Sequence, residues 1–464
     1  ASSPLGKGIA KQFAKQCDID SALLERSMRS YAKVLQKCPQ KDEMRVLSYE
    51  EGVRGVEGDE YMKGINRTTS PGMPYCMSQS GGKMAWFGKD DWTLDSAKAK
   101  ELKADIMAKN EKIRRGEHVN FIFVDVLKDE ARDLEKVKAG KTRVFSAAPM
   151  DLTILFRMYF LCFIKFMMKN RIKSESCVGI KSQSLEWDQL AKHLLRTGNN
   201  NMDGDFANYD GTLNATILRR ILSIVEHYYK MNDNWTEEDA KARYVLWEAL
   251  VNAKHIVQGF VYQVDHSHPS GHPMTAILNS MYNSVVMRYA YYAAGYSDFN
   301  DNVAMANYGD DNLLSVSSRV AFSQKDATEQ LAKIGMTYTS ADKVTEVTNE
   351  LKPLSQCSFL QRDFVYDSRY KIWVGRLKLR SILECFNWIH ATTDEEGVIM
   401  QNALMANIEL AYYDADFFDK VMLKLTRTIS KGYGKVMVPI DRDYVWEKHR
   451  DSSLLATFPS ISWQ

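Results

Sequence analysis

The sequence predicts an α+β fold, and three observations predict it. Helical and strand-type periodicities are mixed along the chain. Two short apolar runs flank Gly309-Asp310-Asp311, as the arms of a hairpin flank a tight turn. Beyond Leu379 the pattern turns helical almost to the end. With 464 residues, 45% of them hydrophobic, the chain can bury a substantial core, and its length suggests two or three subdomains.

Taken in order, the first sixty or so residues are helical in pattern, with Leu23, Leu24, Met28, Tyr31 and Leu35 at helical spacing within residues 20–37. Residues 67–89 are rich in Gly, Pro, Ser and Thr and read as loop. Residues 95–115 form a charged helix, and residues 121–127 and 143–146 read as strands. The apolar stretch 158–168 is too short to span a bilayer and reads as a buried helix. Residues 184–195 are helical, followed by a short strand ending near Asp205 and an amphipathic helix over 212–229. Residues 257–264 read as one strand and 273–294 as a long, mostly apolar helix. Runs 303–308 and 312–316 are the hairpin arms.

Net charge is only +2, which neither supports nor excludes a nucleic-acid partner, since such a partner needs basic residues along one groove rather than overall. Seven cysteines, an odd number with no CxxC pair, suggest neither a disulfide framework nor a zinc finger. No signal peptide and no integral membrane segment are read from the chain.

Two acidic clusters stand at special places. Asp205 and Asp210 lie at a strand-to-helix junction, and Asp310 and Asp311 at a hairpin tip. Joining nucleotides needs an activated hydroxyl, a stabilised phosphorus and a neutralised leaving group. Two Mg²⁺ ions about 3.5–4 Å apart supply all three, and they need hard oxygen ligands on rigid, converging elements. Either cluster alone reads as ordinary turn and cap aspartates, as Asp203 and Asp301 do. Gly140-Lys141-Thr142 is a P-loop decoy, because the Gly required five residues earlier is Glu135.

Tyr308-Gly309-Asp310-Asp311 resembles the YGDD motif C of viral RNA-dependent RNA polymerases, and Asp205 with Asp210 resembles the D-x4-D of motif A. Ser270-Gly271, Thr275 and Asn279 resemble motif B, S-G-x3-T-x3-N. Lys128, Arg132, Lys136, Lys141 and Arg143 resemble motif F, Thr69-Ser70-Pro-Gly motif G, Asp342-Lys343 motif D and Ser358 to Arg362 motif E, with Gln361 where Lys is common. The motifs fall in family order over nearly the whole chain. The likeness is closest to picornavirus-like polymerases, with features of insect-infecting dicistroviruses or iflaviruses.

The resemblance implies a right-hand polymerase fold with fingers, palm and thumb, the palm a small antiparallel sheet backed by helices. Fingers are expected over 1–155, palm over 156–229, a fingers excursion over 230–265, palm again over 266–375 and a helical thumb over 376–464. It also implies an RNA-directed RNA polymerase replicating a positive-strand RNA genome. Asp205, Asp310 and Asp311 would bind two Mg²⁺ ions, with Mn²⁺ as a substitute, and Lys343 would protonate pyrophosphate. Asp210, Ser270, Thr275 and Asn279 would read the ribose, with Asn279 two to three turns into the helix after the motif B loop, since the 2′-hydroxyl separates RNA from DNA. Arg143 and Lys128 would hold the triphosphate. Thr69, Ser70, Gly271, Arg132 and Arg362 would meet template or primer. The implied partners are RNA template, primer or product strand, NTPs, a protein primer and other viral replication proteins. The implied location is host cytoplasm, at membrane-associated replication complexes reached through partners. Relative to picornavirus polymerases the region before motif G is short, from trimming or a reduced strap, and the family's buried N-terminal Gly is not carried over to Ala1. Two alternatives are weighed: a reverse transcriptase, and a non-enzymatic RNA-binding or structural viral protein on a degenerate polymerase fold.

Overall fold

The computed structural model describes residues 3–78, 81–343 and 346–451 of the chain. Two long helices form its spine. Met150–Lys169 is buried on nearly every face and Thr275–Ala293 likewise, as expected of helices apolar all round. Ser21–Gln36 packs on the second of these, capped by Asp20, whose side chain accepts from Ala22 and Leu23 amides. Ala97–Arg114, charged outward, buries Leu102, Ile106 and Ile113.

Among the described residues the strands form three small sheets. The first has strand order β2-β1-β4-β5, from Ile122–Leu127 (β1), Val144–Ala147 (β2), Lys254–Val257 (β4) and Phe260–Gln263 (β5). It joins the segment before the Met150–Lys169 helix to the excursion between the two acidic clusters. The second has order β6-β7-β3-β8, from Asn201–Ala207 (β3), Val303–Tyr308 (β6), Asp311–Val316 (β7) and Thr337–Ser340 (β8), every pairing antiparallel. The third is Ser358–Phe359 (β9), Arg362–Asp367 (β10) and Ile372–Leu377 (β11).

The strand expected over 257–264 is shorter, Phe260–Gln263, and Val257 instead ends the preceding strand Lys254–Val257. Gln258 and Gly259 both take positive φ, 47° and 84°, and turn the chain back on itself. A Gln at the first turn position hides a hairpin whose usual signature is Asn-Gly or Asp-Gly. The strand expected to end near Asp205 runs two residues further, because β8 pairs with it, Asp205 opposite Thr339 and Ala207 opposite Thr337.

The C-terminal helices Glu395–Leu410, Ala415–Tyr433 and Arg442–Asp451 have a core of their own, with Ile382, Ile408, Phe418, Met422 and Ile429 at its centre. Residues 452–464 of the expected thumb lie outside the described residues. Among the described residues no helix is long and apolar enough to cross a membrane.

Candidate active site

The hairpin tip is a two-residue turn. Tyr308 pairs with Asp311, leaving Gly309 and Asp310 between the strands, and Gly309 takes φ +64°, where a side chain is disfavoured. Buried amides hold this turn from beneath. Ser280 Oγ accepts from the Gly309 N–H at 2.8 Å, and Asn283 Nδ2 donates to the Gly309 carbonyl at 3.0 Å. Asn312 Nδ2 donates to Asn283 Oδ1 at 2.9 Å, and Tyr338 Oη donates to Asn312 Oδ1 at 2.7 Å. Polar groups on an otherwise apolar helix are thereby satisfied by the hairpin they support.

Register brings the two acidic clusters together. The last β3–β7 pair is Gly204 with Asn312, so the next step sets Asp205 beside Asp311 on the same face. Burial pushes the Asp311 carboxyl up to about 7, reinforced by the charges of Asp310, Asp205 and Asp203, although the Leu360 N–H donates to its Oδ2 at 3.0 Å. Asp310 is also raised, by burial first and then by Asp210 and Asp205. Lys343 follows β8 and places Nζ 2.8 Å from Asp205 Oδ2. Asp203 is structural, but within β3 rather than at a turn or cap: Lys352 sits 2.6 Å from one oxygen and the Ser358 N–H donates to the other.

The ribose-reading group is assembled in part. Asn279 Nδ2 donates to Asp210 Oδ1 at 2.8 Å, from a position one turn into its helix rather than deeper. Burial lifts Asp210 to about 6, offset by that bond and by the charge of Arg143. Ser270 does not join this pair. Its Oγ accepts from the Ser146 N–H at 3.2 Å, on β2. Thr275 Oγ1 donates to the carbonyls of Ser270 and His272, closing the loop at the helix start. Gly271 bridges to Ala147, and any Cβ there would lie 2.2 Å from the Ser146 carbonyl oxygen. The close approach to β2 therefore requires glycine here.

Ser146 leads to residues that the sequence reading missed. Its Oγ donates to Asp125 Oδ1 at 2.6 Å, and Asp125 also binds His255 Nδ1 at 2.9 Å and the Tyr262 hydroxyl. This buried knot joins all four strands of the first sheet to the motif B loop. No sequence spacing announces it, because its members come from four separate strands.

The basic loop is looser. Glu130 gathers Lys128 at 3.5 Å, Arg132 at 2.9 Å and Arg143 at 3.6 Å. Arg132 also donates to the Lys141 carbonyl, which braces the loop. Arg143 is 64% exposed and close enough to lower both Asp210 and Asp310. Arg362 is corrected outright. Its guanidinium is buried in a bidentate pair with Glu409 at 2.6 and 2.8 Å, fastening β10 to the C-terminal helices. Thr69 and Ser70 are exposed on a loop that Lys83 Nζ ties together through the Thr69 hydroxyl and the Ser70 carbonyl. The segment before the first long helix runs beside motif A: Asn208 Nδ2 donates to the Lys11 carbonyl, and Asn214 Nδ2 to that of Cys17.

Residues 12–427 match the family described as viral RNA-dependent RNA polymerase. The chain belongs to that family. It is 34% identical over 457 residues to the replicase polyprotein of Drosophila C virus (strain EB), covering 90% of this chain and 25% of that polyprotein. Against the replicase polyprotein of Cricket paralysis virus it is 34% identical over 484 residues, covering 98% and 27%. The chain therefore spans about a quarter of the length of these curated relatives. A solved Sicinivirus 3Dpol RNA dependent RNA polymerase superposes with a TM-score of 0.78 at 20% identity, covering 96% of this chain and 88% of that one. The polymerase thus has the right-hand fold, and the resemblance to picornavirus-like enzymes and their dicistrovirus relatives holds.

The family uses a divalent metal. Among the described residues no three His, Cys, Asp or Glu side chains are gathered as a ready-made cage. The donor set nevertheless fits a hard cation that takes one or two carboxylates and completes its shell with water and substrate phosphate. At Asp310 and Asp311 burial, and then the neighbouring carboxylates, raise the carboxyls, the mark of uncompensated negative charge.

Proposed function

We propose that this polymerase copies an RNA template into RNA from NTPs by two-metal nucleotidyl transfer, and that it replicates the genome of a positive-strand RNA virus. The observation that carries the reading is the register that sets Asp205 beside Asp311 at the Gly309-Asp310 turn, with the Asp210–Asn279 pair in the same site. Asp205, Asp310 and Asp311 would hold two Mg²⁺ ions, or Mn²⁺ in their place. Such ions activate the 3′-hydroxyl and neutralise the leaving pyrophosphate.

The remaining chemistry falls to the chain. Asp210 and Asn279 recognise the ribose 2′-hydroxyl. Arg143, with Lys128 behind it, meets the triphosphate as negative charge develops. Lys343, now on Asp205, moves to the pyrophosphate oxygen and delivers its proton there. Thr69 and Ser70 lie on the template side. A protein primer and other viral replication proteins are the expected partners, and membrane-associated complexes in host cytoplasm the expected location, reached through those partners.

Extension of a labelled RNA primer on an RNA template, with NTPs and dNTPs in parallel, tests the reading. Product from NTPs alone supports it. Product from dNTPs at equal efficiency would favour reverse transcription, and RNA binding without product would favour the non-enzymatic reading.

A further inference from the structure

A line of hydrogen bonds ends on Asp210 and begins at two buried histidines that play no part in the mechanism above. The Met274 N–H donates to His272 Nδ1 at 3.2 Å. His272 Nε2 meets His268 Nε2, His268 Nδ1 lies 2.7 Å from Asn279 Oδ1, and Asn279 Nδ2 donates to Asp210 Oδ1 at 2.8 Å. Burial pushes His268 down to about 4 and His272 well below its ordinary value, so both rings are neutral near pH 7.

Neutrality makes the direction of each bond deducible. A neutral imidazole has one donor and one acceptor nitrogen. His272 Nδ1 accepts from a backbone amide, so its proton is on Nε2. That proton points at His268 Nε2, which must therefore accept, leaving the His268 proton on Nδ1. His268 then donates to Asn279 Oδ1, and the Asn279 amide nitrogen is the atom left to face Asp210. The reversed amide would set its oxygen against the Asp210 carboxylate and its N–H groups against the His268 donor. The frame is fixed as well. The His268 N–H donates to the Asp210 carbonyl at 3.0 Å, the Ser267 N–H to that of Leu213, and the His272 ring packs 5.4 Å from Phe156.

We propose that His268 and His272 are positioning residues for sugar selection: their tautomers hold the Asn279 amide in the orientation that pairs with Asp210. One N–H of Asn279 is then engaged by the carboxylate and the other is available to the ribose 2′ oxygen, while the second oxygen of Asp210 accepts the 2′-hydroxyl proton. The amide has the same shape either way round, so its orientation rests on what it faces, and the His268 donor on Oδ1 adds to the Asp210 acceptor on Nδ2. The proposal rests on the polymerase reading.

The test is the ratio of kcat/KM for a ribonucleotide to that for the matched 2′-deoxyribonucleotide, measured within one preparation so that any inactive fraction cancels. His268→Leu removes the donor and should lower the ratio about tenfold, through the ribonucleotide's KM. His268→Asn carries an amide N–H near the Nδ1 position and should restore most of it. His272→Phe keeps the packing on Phe156 and removes the second link. It should lower the ratio by about threefold and carries the test if His268→Leu does not fold. An unchanged ratio in the leucine and phenylalanine variants overturns the proposal. So does an equal fall for both sugars, or an asparagine variant no better than leucine. A parent chain that makes no RNA from NTPs overturns the polymerase reading itself, and the relay with it.

Discussion

The clustered carboxylates sit on paired strands and their turn, and the clustered cations sit on a loop. Asp205 and Asp311 are set by the pairing of β3 with β7, and the turn carrying Asp310 is held by Ser280 and Asn283 from a buried helix. The side chains of Lys128, Arg132 and Arg143 share one carboxylate, Glu130, with a further bond from Arg132 to the Lys141 carbonyl. Like charges that repel must be forced together, so the acidic half needs a rigid frame. Cations that meet a mobile, highly charged substrate can be ordered by the substrate itself, at little cost while solvent screens them.

The contrast can be broken in four ways. The largest effect should follow metal removal. Chelation should abolish extension while the thermal melt persists, because the β6-β7-β3-β8 sheet has hydrogen bonds and packing of its own; a collapse of the melt would mean that the metal builds the fold. Next, Lys343→Ala should lower kcat about a hundredfold with KM nearly unchanged, and Lys343→Arg should recover part of it, as single-nucleotide turnover would register. Third, Asn312→Leu strands the Tyr338 hydroxyl and Asn283 Oδ1 in the core, and denaturant melts should show a loss of about 2 kcal/mol. The smallest effect belongs to the loose half. Arg143→Ala should raise KM for NTPs about tenfold and leave the melt unchanged, since its guanidinium is mostly exposed.

Much of this was legible in the sequence, and the limits follow from how each feature is encoded. The hairpin turn, the two spine helices and the order of the acidic clusters are local patterns, readable from periodicity and turn chemistry. Asp203 and Asp205 look alike in the chain, and only the neighbours of each, Lys352 for one and Lys343 for the other, separate a brace from a candidate ligand. Arg362 reads as a primer contact because its partner, Glu409, is 47 residues away and carries no motif. Ser270 reads as a ribose contact because the β2 amide that claims its hydroxyl lies 124 residues earlier. His268 went unnoticed between two motif positions, since nothing in its spacing shows that it is buried or that its ring faces Asn279.

The most direct single measurement is primer extension on an RNA template by the parent chain and by Asp310→Asn, across a Mg²⁺ titration, with both melts recorded. The parent should give Mg²⁺-dependent product, and the variant a loss of about a thousandfold or more at every Mg²⁺ concentration with a melt that is unchanged or raised, because one of the repelling buried charges is gone. Full activity in Asp310→Asn would contradict this, and would move the metal site away from the hairpin.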